Sequence, residues 1–394
     1  MDNRFKKASN PNGVGEIIRR FGQQFRQQYD ISPSQQKAFF AVKNCRTMSM
    51  GGHAEQCDLC GHTRVFYNSC RNRHCPQCQG LKRAKWVEKL ACDLLPVPYF
   101  HIVFTIPDQL NPIALINQQV VYDILFKAAS ETITTLVKQP KYLHSDTGMV
   151  AILHTWGQNL MFHPHLHTMV PAGGWNKEQQ TWHASRRKFF IPVRVVSEMF
   201  RGKFLFYLKQ AFKEGLLSFF GTISGLKSSR NFNILLTVLY KKGWVVFTKK
   251  SFKNSAHIIN YLGRYSHRVA IANNRILSIE EGMITFTMKD YRDGNRKPLR
   301  IQATEFIRRF LLHVLPKGFC KIRYYGLFAT RCRGTILEKC RISLGKAKLI
   351  SKFADKTWQQ LLEMVTGIKV DICPQCKNGQ MITVSTFKPI SALA

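Results

Sequence analysis

The sequence has few acidic side chains. Only 23 Asp and Glu stand against 59 Lys and Arg, so the 394 residues carry a formal net charge of +36. Such an excess disfavours the compact state by self-repulsion unless a polyanion takes up the charge. Nucleic acid is the usual polyanion, because each phosphate that a cation neutralises releases condensed counterions. The charge therefore predicts a polyanionic partner but no activity. A ribosome-bound or membrane-surface protein would show the same charge balance.

Long apolar runs are missing as well. No stretch of about 18 apolar residues exists, which excludes a membrane-spanning helix on length. Residues 1–7 are polar and are not followed by the apolar core of a signal peptide. We therefore expect a cytoplasmic protein, in which thiols stay reduced and the 12 cysteines indicate metal sites before disulfides.

Repeats of 20 to 50 residues and low-complexity linkers are also lacking, which makes the domain boundaries soft. Apolar periodicity predicts helices and β-branched or aromatic runs predict strands. The helices are expected at 111–138, 196–218 and 253–266. The strands are expected at 99–106, 149–155, 162–170 and 243–248, followed by short strands over 268–302 with turns at Asn273-Asn274 and Asp293-Gly294.

The cysteines that are present fall into CxxC pairs. Cys57 and Cys60 form one pair, Cys75 and Cys78 form the next, and 14 residues separate them. This is the spacing of a four-thiolate zinc site, which would close a small module that has little core of its own. Basic side chains in the same segment, Arg71 and Arg73 among them, are predicted to contact DNA.

Four further side chains interleave with these pairs and would suit a second zinc ion, cross-braced with the first. Packing or DNA contact would explain them equally well, so this second site stays open. The four are Cys45, His53, Cys70 and His74.

A third CxxC pair, Cys373 and Cys376, has no obvious partner pair in the sequence. Cys332 and Cys340 could complete a site with it, although their seven-residue gap is atypical. Free thiols would explain this pair as well.

Three histidines alternate along the strand expected at 162–170. Because side chains of a strand alternate between its faces, His163, His165 and His167 share one face. Neutral imidazoles on one face are suitable ligands for a divalent ion. A third ligand is expected either from Gln158, in the turn before the strand, or from His154, at the end of the preceding strand. Gln158 is favoured because an oxygen ligand suits Mg²⁺ or Mn²⁺.

Two tyrosines lie four residues apart in the helix expected at 253–266. Tyr261 and Tyr265 therefore share one helical face, with Arg264 and Arg268 on a neighbouring stripe. A phenol has a pKa of about 10 and is a poor nucleophile near pH 7. It can attack phosphorus if a metal polarises the phosphate and arginines stabilise the developing charge. The alternative is a core or DNA-stacking aromatic pair.

The order of these motifs resembles the HUH endonucleases of the two-tyrosine kind, and more narrowly the rolling-circle transposases of the insertion-sequence-ninety-one-like family. The matching segments cover roughly residues 40 to 380. They are Tyr67-Asn-Ser-Cys-Arg-Asn-Arg-His-Cys-Pro-Gln-Cys78, His163-Pro-His-Leu-His167, Tyr261-Leu-Gly-Arg-Tyr-Ser-His-Arg-Val-Ala-Ile271, Lys289-Asp-Tyr-Arg-Asp-Gly294 and Phe306-Ile-Arg-Arg-Phe-Leu-Leu-His-Val-Leu-Pro316.

The resemblance implies an α+β fold whose core is a five-stranded antiparallel sheet flanked by helices, of the ferredoxin-like or RNA-recognition-motif-like type. It implies that Tyr261 or Tyr265 attacks single-stranded DNA at the ends of a mobile element and forms a 5′-phosphotyrosine. His165 and His167 would hold Mg²⁺ or Mn²⁺ on the scissile phosphate, with His163 orienting or contacting DNA. The implied location is the bacterial cytoplasm, at the nucleoid.

On this basis the chain divides into four predicted parts. They are a basic helical segment (1–40), a zinc-ribbon-like DNA-binding module (41–95), the nuclease domain (96–303) and a basic helical C-terminal region (304–394).

Two other functions share parts of the pattern. A plasmid or phage rolling-circle replication initiator has the histidine strand and the tyrosines, and a zinc-dependent nucleic-acid-binding protein without catalysis has the cysteines. A site of three acidic residues is poorly supported, because the most suggestive acids, Asp290 and Asp293, are expected to form a turn and to pair with arginine. No Walker-type Gly-x-x-x-x-Gly-Lys occurs, as expected if the phosphotyrosine keeps the energy of the cleaved bond.

Overall fold

The computed structural model describes residues 12–185, 191–252, 270–290, 293–347 and 349–390. None of the helices in these ranges is long and apolar enough to span a membrane.

Helices in the described ranges begin at recognisable caps in several places. Ser32 and Thr357 each form a capping box, in which the hydroxyl accepts from the backbone three residues on and a glutamine side chain returns the bond. The helices are α1 (Val14–Gln28), α2 (Pro33–Asn44), α3 (Gly80–Asp93), α4 (Asn111–Ile116), α5 (Gln118–Val137), α6 (Val193–Lys213), α7 (Ser229–Lys241), α8 (Ala303–Leu311), α9 (Thr330–Arg333), α10 (Ile336–Ser343) and α11 (Trp358–Thr366).

Within the described residues the strands form four antiparallel sheets. The strands are β1 (Gly52–Cys57), β2 (Thr63–Tyr67), β3 (Tyr99–Thr105), β4 (Gly148–Trp156), β5 (Phe162–Pro171), β6 (Gly173–Asn176), β7 (Thr181–Ala184), β8 (Val246–Phe252), β9 (Ile276–Glu280), β10 (Met283–Lys289), β11 (Arg296–Gln302), β12 (Ile322–Gly326) and β13 (Met381–Phe387).

The largest sheet has five strands in the order β12-β4-β5-β3-β8, and every neighbouring pair is antiparallel. This confirms the five-stranded antiparallel core flanked by helices. Its middle strand is β5, the strand that carries the alternating histidines. The proline of the histidine motif, Pro164, falls at an irregularity between β4 and β5 and outside the register with β3, so its missing N–H removes no ladder bond.

The two faces of this sheet pack against different layers. One face, with Phe100, Phe104 and Leu166, lies in the main core beneath α5 and α6. The other face, with Val150 and Met169, packs in a smaller apolar cluster that includes α3 and α10. Because side chains alternate, the histidines at odd positions of β5 lie on this second face, where the apolar cluster ends.

A separate layer forms the second-largest apolar cluster. It combines α1, α2 and α8 with the three-stranded sheet β11-β10-β9. Arg275 ties this layer to the central sheet, because its guanidinium donates from Nη2 to the carbonyl of Gln158, 2.6 Å away, in the turn between β4 and β5.

Most predicted elements occur near their expected positions, and β3, β4 and β5 are examples. The helix expected at 111–138 is divided at Asn117, whose side chain accepts from the backbone N–H of Ser218 and donates to its carbonyl. The turn between β9 and β10 is Glu281-Gly282, both with positive φ, and not Asn273-Asn274, which forms a short 3-10 turn before β9.

Two strands on the C-terminal side of the predicted boundary at residues 303/304 join sheets on its N-terminal side. Strand β12 lies at the edge of the central sheet, and β13, near the end of the described chain, pairs with β1. The C-terminal region therefore contributes one strand to the central sheet and one to the sheet of the cysteine-rich module (41–95).

Candidate metal centres

Three histidines converge at one end of the central sheet. His154 on β4 lies directly across from His165 on β5, and His167 is two residues further along β5 on the same face. The ligand nitrogens of this histidine cluster (His154, His165 and His167) all lie within 4.8 Å of one another. The Nε2 atoms of His165 and His167 are 3.1 Å apart.

Hydrogen bonds to the opposite ring nitrogens orient two of these imidazoles. The Nδ1 of His165 lies 2.7 Å from the backbone carbonyl of His163, to which it can only donate. The Nδ1 of His167 lies 2.9 Å from Nε2 of His101, and the two rings are nearly parallel. A proton on each Nδ1 leaves the lone pair of each Nε2 pointing into the cluster, as in metal-binding histidines whose second nitrogen is held by the protein.

The surroundings favour neutral rings. Desolvation lowers the pKa of His165 to about 4, and burial holds the pKa of His167 well below its ordinary value. Both imidazoles are therefore uncharged near pH 7, which is the state that binds a metal ion.

The histidine cluster fits a divalent ion. Two nitrogens 3.1 Å apart can both reach an ion at about 2.1 Å, a usual metal–nitrogen distance, at an angle near 95°. For the third ligand, the structure brings His154 into the cluster, so the geometry favours the alternative to Gln158. The backbone carbonyl of Gln158 accepts from Arg275, and a side-chain ligand role for Gln158 stays a prediction.

Aromatic side chains pack beside the histidine cluster. Trp156 stacks on His154 with ring centroids 4.6 Å apart, and His313 lies beyond it. His313 is buried between the hydroxyl of Thr155 and the carbonyl of Leu160. Sequence reasoning did not assign His101, Trp156 or His313 a role, although His313 stands inside the segment 306–316 that carries the family resemblance.

The predicted tyrosine helix cannot be placed. Tyr261, Tyr265, Arg264 and Arg268 all lie outside the described residues. His163 is exposed beside the cluster, and its main-chain carbonyl accepts from Nδ1 of His165, while its expected contact with DNA stays a prediction.

The acidic pair forms the hairpin turn between β10 and β11, as expected. Both carboxylates bind Lys297, at 3.0 Å for Asp290 and 2.7 Å for Asp293. Arg292, which stands between them in the sequence, lies outside the described residues, so the expected pairing with arginine stays a prediction. Among the described residues no group of three acidic side chains meets.

Eight cysteines form two thiol clusters, and the grouping differs from the one predicted. In each cluster all four Sγ atoms lie within 4.8 Å of one another. The first thiol cluster is Cys45, Cys70, Cys75 and Cys78, and the second thiol cluster is Cys57, Cys60, Cys373 and Cys376.

The prediction that Cys57 and Cys60 share a site with Cys75 and Cys78 is therefore wrong. The 14 intervening residues contain β2, whose rise of about 3.4 Å per residue carries the chain to the opposite end of the β1–β2 hairpin. The suggestion that Cys332 and Cys340 complete the third pair is also wrong, because the third pair meets the first.

Neither predicted zinc-ligand histidine joins a cluster. His53 lies on β1, where Nε2 is 3.3 Å from a Glu55 carboxylate oxygen and the ring stacks on Phe66. His74 is buried, its Nε2 accepts from the backbone N–H of Leu315, and desolvation lowers its pKa to about 3. Neither histidine offers its Nε2 to the thiols, since the Nε2 of His53 faces a carboxylate and the Nε2 lone pair of His74 is taken by the Leu315 N–H.

The two predicted DNA-contacting arginines lie in different surroundings. Arg71 is exposed and adopts a positive φ in the loop between β2 and α3. Arg73 is half-buried and donates from Nη1 to the carbonyl of Phe319, 2.7 Å away, so it joins the cysteine-rich segment to the main apolar core.

Comparison with known proteins identifies the family of the chain. Residues 148–335 match the family described as "Putative transposase", and residues 17–106 match the family described as "Transposase zinc-binding domain". A protein of Sinorhizobium fredii (strain NBRC 101917 / NGR234), "Putative transposase y4qJ", is 45% identical over 382 residues, 96% of each chain. The chain belongs to the IS91-type transposases.

A second relative is more distant. The "Transposase for insertion sequence element IS801" of Pseudomonas savastanoi pv. phaseolicola is 28% identical over 305 residues, which cover 75% of this chain and 70% of that protein. No solved structure matches the chain.

Membership confirms the family resemblance, so the protein is an enzyme that acts on DNA. The histidine cluster lies wholly within the matched range 148–335. The first thiol cluster lies wholly within the matched zinc-binding range 17–106, whereas the second thiol cluster has only two of its four cysteines there.

Proposed function

We propose that this transposase nicks and rejoins single-stranded DNA at the ends of its mobile element, by an HUH-type reaction with a tyrosine nucleophile. The observation that carries the proposal is the convergence of the Nε2 atoms of His165 and His167, 3.1 Å apart, with His154 beside them. Neutral nitrogen ligands aimed at one point suit a divalent ion, and the family resemblance implies that this ion is Mg²⁺ or Mn²⁺.

A divalent ion bound there would neutralise charge on the scissile phosphate and orient it. The hydroxyl oxygen of Tyr261 or Tyr265 forms a bond to phosphorus and loses its proton to solvent. The bond from phosphorus to the 3′ oxygen breaks, and that oxygen takes up a proton. The products are a 5′-phosphotyrosine and a free 3′-hydroxyl, and the reverse attack by another 3′-hydroxyl joins the strands without ATP.

Chain length supports a tyrosine in this role. Ala270, the first residue after 253–269, is buried in the cluster that also holds Leu160 and Trp156, beside the histidines. In the sequence Tyr265 precedes Ala270 by five residues and Tyr261 precedes it by nine, and a chain spans at most about 3.6 Å per residue, so only short segments separate either tyrosine from Ala270. Arg275 further fixes this part of the chain on the turn between β4 and β5.

Charge and domain order support DNA as the substrate. The chain carries a net charge of +36, and the range that matches a zinc-binding domain precedes β4 and β5, the strands that bear the histidine cluster. Two tyrosines would let one remain bonded to the first strand while the other cuts the second.

The test uses the full chain and an end-labelled single-stranded oligonucleotide that carries an element end with its hairpin. With Mn²⁺ we expect a shortened labelled product and a covalent protein–DNA adduct. Mass spectrometry of the digested adduct should place the DNA on Tyr261 or Tyr265. Tyr261→Phe and Tyr265→Phe are compared with Tyr240→Phe, which alters an exposed tyrosine on α7 and should leave cleavage unchanged.

His165→Ala should abolish metal-dependent cleavage while the oligonucleotide still binds. His144→Asn is the matched control, because His144 is an exposed histidine outside the cluster with a positive φ that Asn tolerates. Binding without any adduct, under conditions where the element transposes in cells, would leave a DNA-binding role and contradict the proposal. Adducts that end-join only on a plasmid origin would instead indicate a replication initiator.

A further inference from the structure

The second thiol cluster brings together the two ends of the chain. The Sγ atoms of Cys57 and Cys376 are 3.6 Å apart, and those of Cys60 and Cys373 are 3.7 Å apart. Four sulfurs arranged tetrahedrally at about 2.3 Å from one zinc ion stand about 3.8 Å from one another. A disulfide would need about 2.05 Å. The separations therefore match a four-thiolate metal site and no sulfur–sulfur bond.

Backbone amides point at the sulfurs in both halves of this cluster. The N–H of Cys60 donates to Sγ of Cys57 at 3.5 Å, and the N–H of Gly379 donates to Sγ of Cys376 at 3.3 Å. Such bonds stabilise thiolates over thiols and orient metal ligands. A Cβ at residue 379 would lie 2.4 Å from Sγ of Cys57, so glycine is required for this close approach.

The surrounding backbone fixes the two CxxC turns against each other. Strand β13 pairs with β1 from Gly52 to Cys57. Asp58 extends this pairing, since its backbone N–H donates to the carbonyl of Gln380 and its carboxylate accepts from the N–H of Gln380. These hydrogen bonds extend the pairing of β1 with β13 as far as the second thiol cluster.

Little apolar burial is available to hold the C-terminal segment in place. Over residues 349–390, all of them described, the fully buried residues are Leu361, Cys373 and Gly379. Strand β13 has no buried residue. A segment with so small a core usually needs a metal or disulfides to keep its fold.

We propose that the second thiol cluster binds one structural zinc ion, which joins the C-terminal segment to the β1–β2 hairpin. Half of its ligands lie outside residues 17–106, the range that matches the zinc-binding domain. The first thiol cluster lies at the open end of the hairpin and the second at its turn, one β1 length away, or about 17 Å. The full chain then carries two zinc ions, and the matched domain alone supplies all the ligands of only one.

The first experiment is the zinc content of the purified full chain, measured by mass spectrometry of the elements. We expect two zinc ions per chain in the wild type. One is expected in Cys373→Ser/Cys376→Ser, and one in Cys75→Ser/Cys78→Ser. The matched control is Cys92→Ser/Cys320→Ser, which alters two cysteines outside both clusters and should keep two. One zinc in the wild type, or two in Cys373→Ser/Cys376→Ser, would overturn the proposal.

A second measurement avoids variants that fail to fold. The native wild-type protein is treated with iodoacetamide and the labelled cysteines are mapped by peptide mass spectrometry, with exposed Cys320 as internal reference. We expect Cys373 and Cys376 to be protected until a chelator is added, and then to react together with Cys57 and Cys60. Hydrogen exchange of β13 should accelerate at the same chelator concentration. Reaction of Cys376 as fast as Cys320 before chelation would refute the site.

Neither measurement depends on DNA cleavage. The zinc count can therefore fail while the tyrosine adduct forms, or succeed where no adduct forms, and the two proposals are tested separately.

Discussion

His101 on β3 holds His167 on β5 by a contact of 2.9 Å between Nε2 of His101 and Nδ1 of His167, with both rings buried. The two residues are diagonal neighbours in the sheet, since His101 lies opposite Met169 and His167 lies opposite Val103. With the proton of His167 on Nδ1, His101 accepts it, and the free lone pair of His167 faces the cluster. The geometry makes His101 a positioning residue for the proposed metal ligand.

Replacing His101 tests this relationship. His101→Leu removes the acceptor and should weaken Mn²⁺ binding by about 10- to 100-fold, the usual loss when such a partner of a metal ligand is removed. His101→Gln offers an oxygen near the position of Nε2 and should recover most of the affinity. Calorimetric Mn²⁺ titration of the purified protein gives the comparison. Equal Mn²⁺ affinities for the Leu and Gln variants would mean that His101 acts through packing and not through this hydrogen bond.

The third ligand can be decided by a pair of variants. His154→Ala should reduce Mn²⁺ affinity by at least the upper end of that range, on the order of 100-fold, because a direct ligand is lost. Gln158→Ala should change the affinity less, since the nitrogens of His154, His165 and His167 already converge without it. The reverse order of effects would return the role to Gln158, as the sequence first indicated.

Acid should destabilise the protein through His313. Burial lowers its pKa to about 4 from an unfolded value near 6.5. The neutral ring therefore contributes stability that is fully present above pH 6.5 and is lost as the pH falls toward 4. Between pH 7.5 and pH 5 the loss should be about 2 kcal/mol.

His313→Gln isolates that contribution, because Gln retains a donor toward the carbonyl of Leu160 but does not titrate. The difference in urea unfolding free energy between wild type and variant should shrink by about 2 kcal/mol from pH 7.5 to pH 5. The thiol clusters are common to both proteins, so their own acid sensitivity cancels. A difference independent of pH would show that His313 is not the titrating group.

Arg71 and Arg73 should behave differently although only one residue separates them. Arg71→Ala removes an exposed cation and should lower by about 1 the slope of log affinity for DNA against log salt, with unchanged unfolding. Arg73→Ala removes the bond to the Phe319 carbonyl and should cost about 1 to 3 kcal/mol of stability. Fluorescence anisotropy at several salt concentrations and thermal unfolding measure the two effects. If Arg73→Ala lowered the salt slope of DNA affinity without a loss of stability, the predicted contact of Arg73 with DNA would be supported instead.

The sequence predicted well what depends on local pattern. Alternation placed His165 and His167 on one face, and β-branched or aromatic runs located β3, β4 and β5. These inferences hold because the strand period is a property of the backbone, whatever packs on it. Family motifs added the five-stranded antiparallel sheet, which local pattern alone would not have given.

Partners distant along the chain were predicted poorly. CxxC spacing selected Cys57 and Cys60 as candidate ligands but assigned them to the nearest pair, because short spacing favours local closure. The actual partners, Cys373 and Cys376, are more than 300 residues away in sequence. His101 and His154 were missed or ranked second for the same reason, since each comes from another strand.

The sequence by itself determined the class of substrate, the residue types of the metal centres and the faces on which they lie, because charge, ligand chemistry and strand period are local. Only the tertiary structure decided which cysteines meet and which imidazole supports His167. Those choices depend on the pairing of β1 with β13 and of β3 with β5, and strand pairing is set by packing across the whole chain.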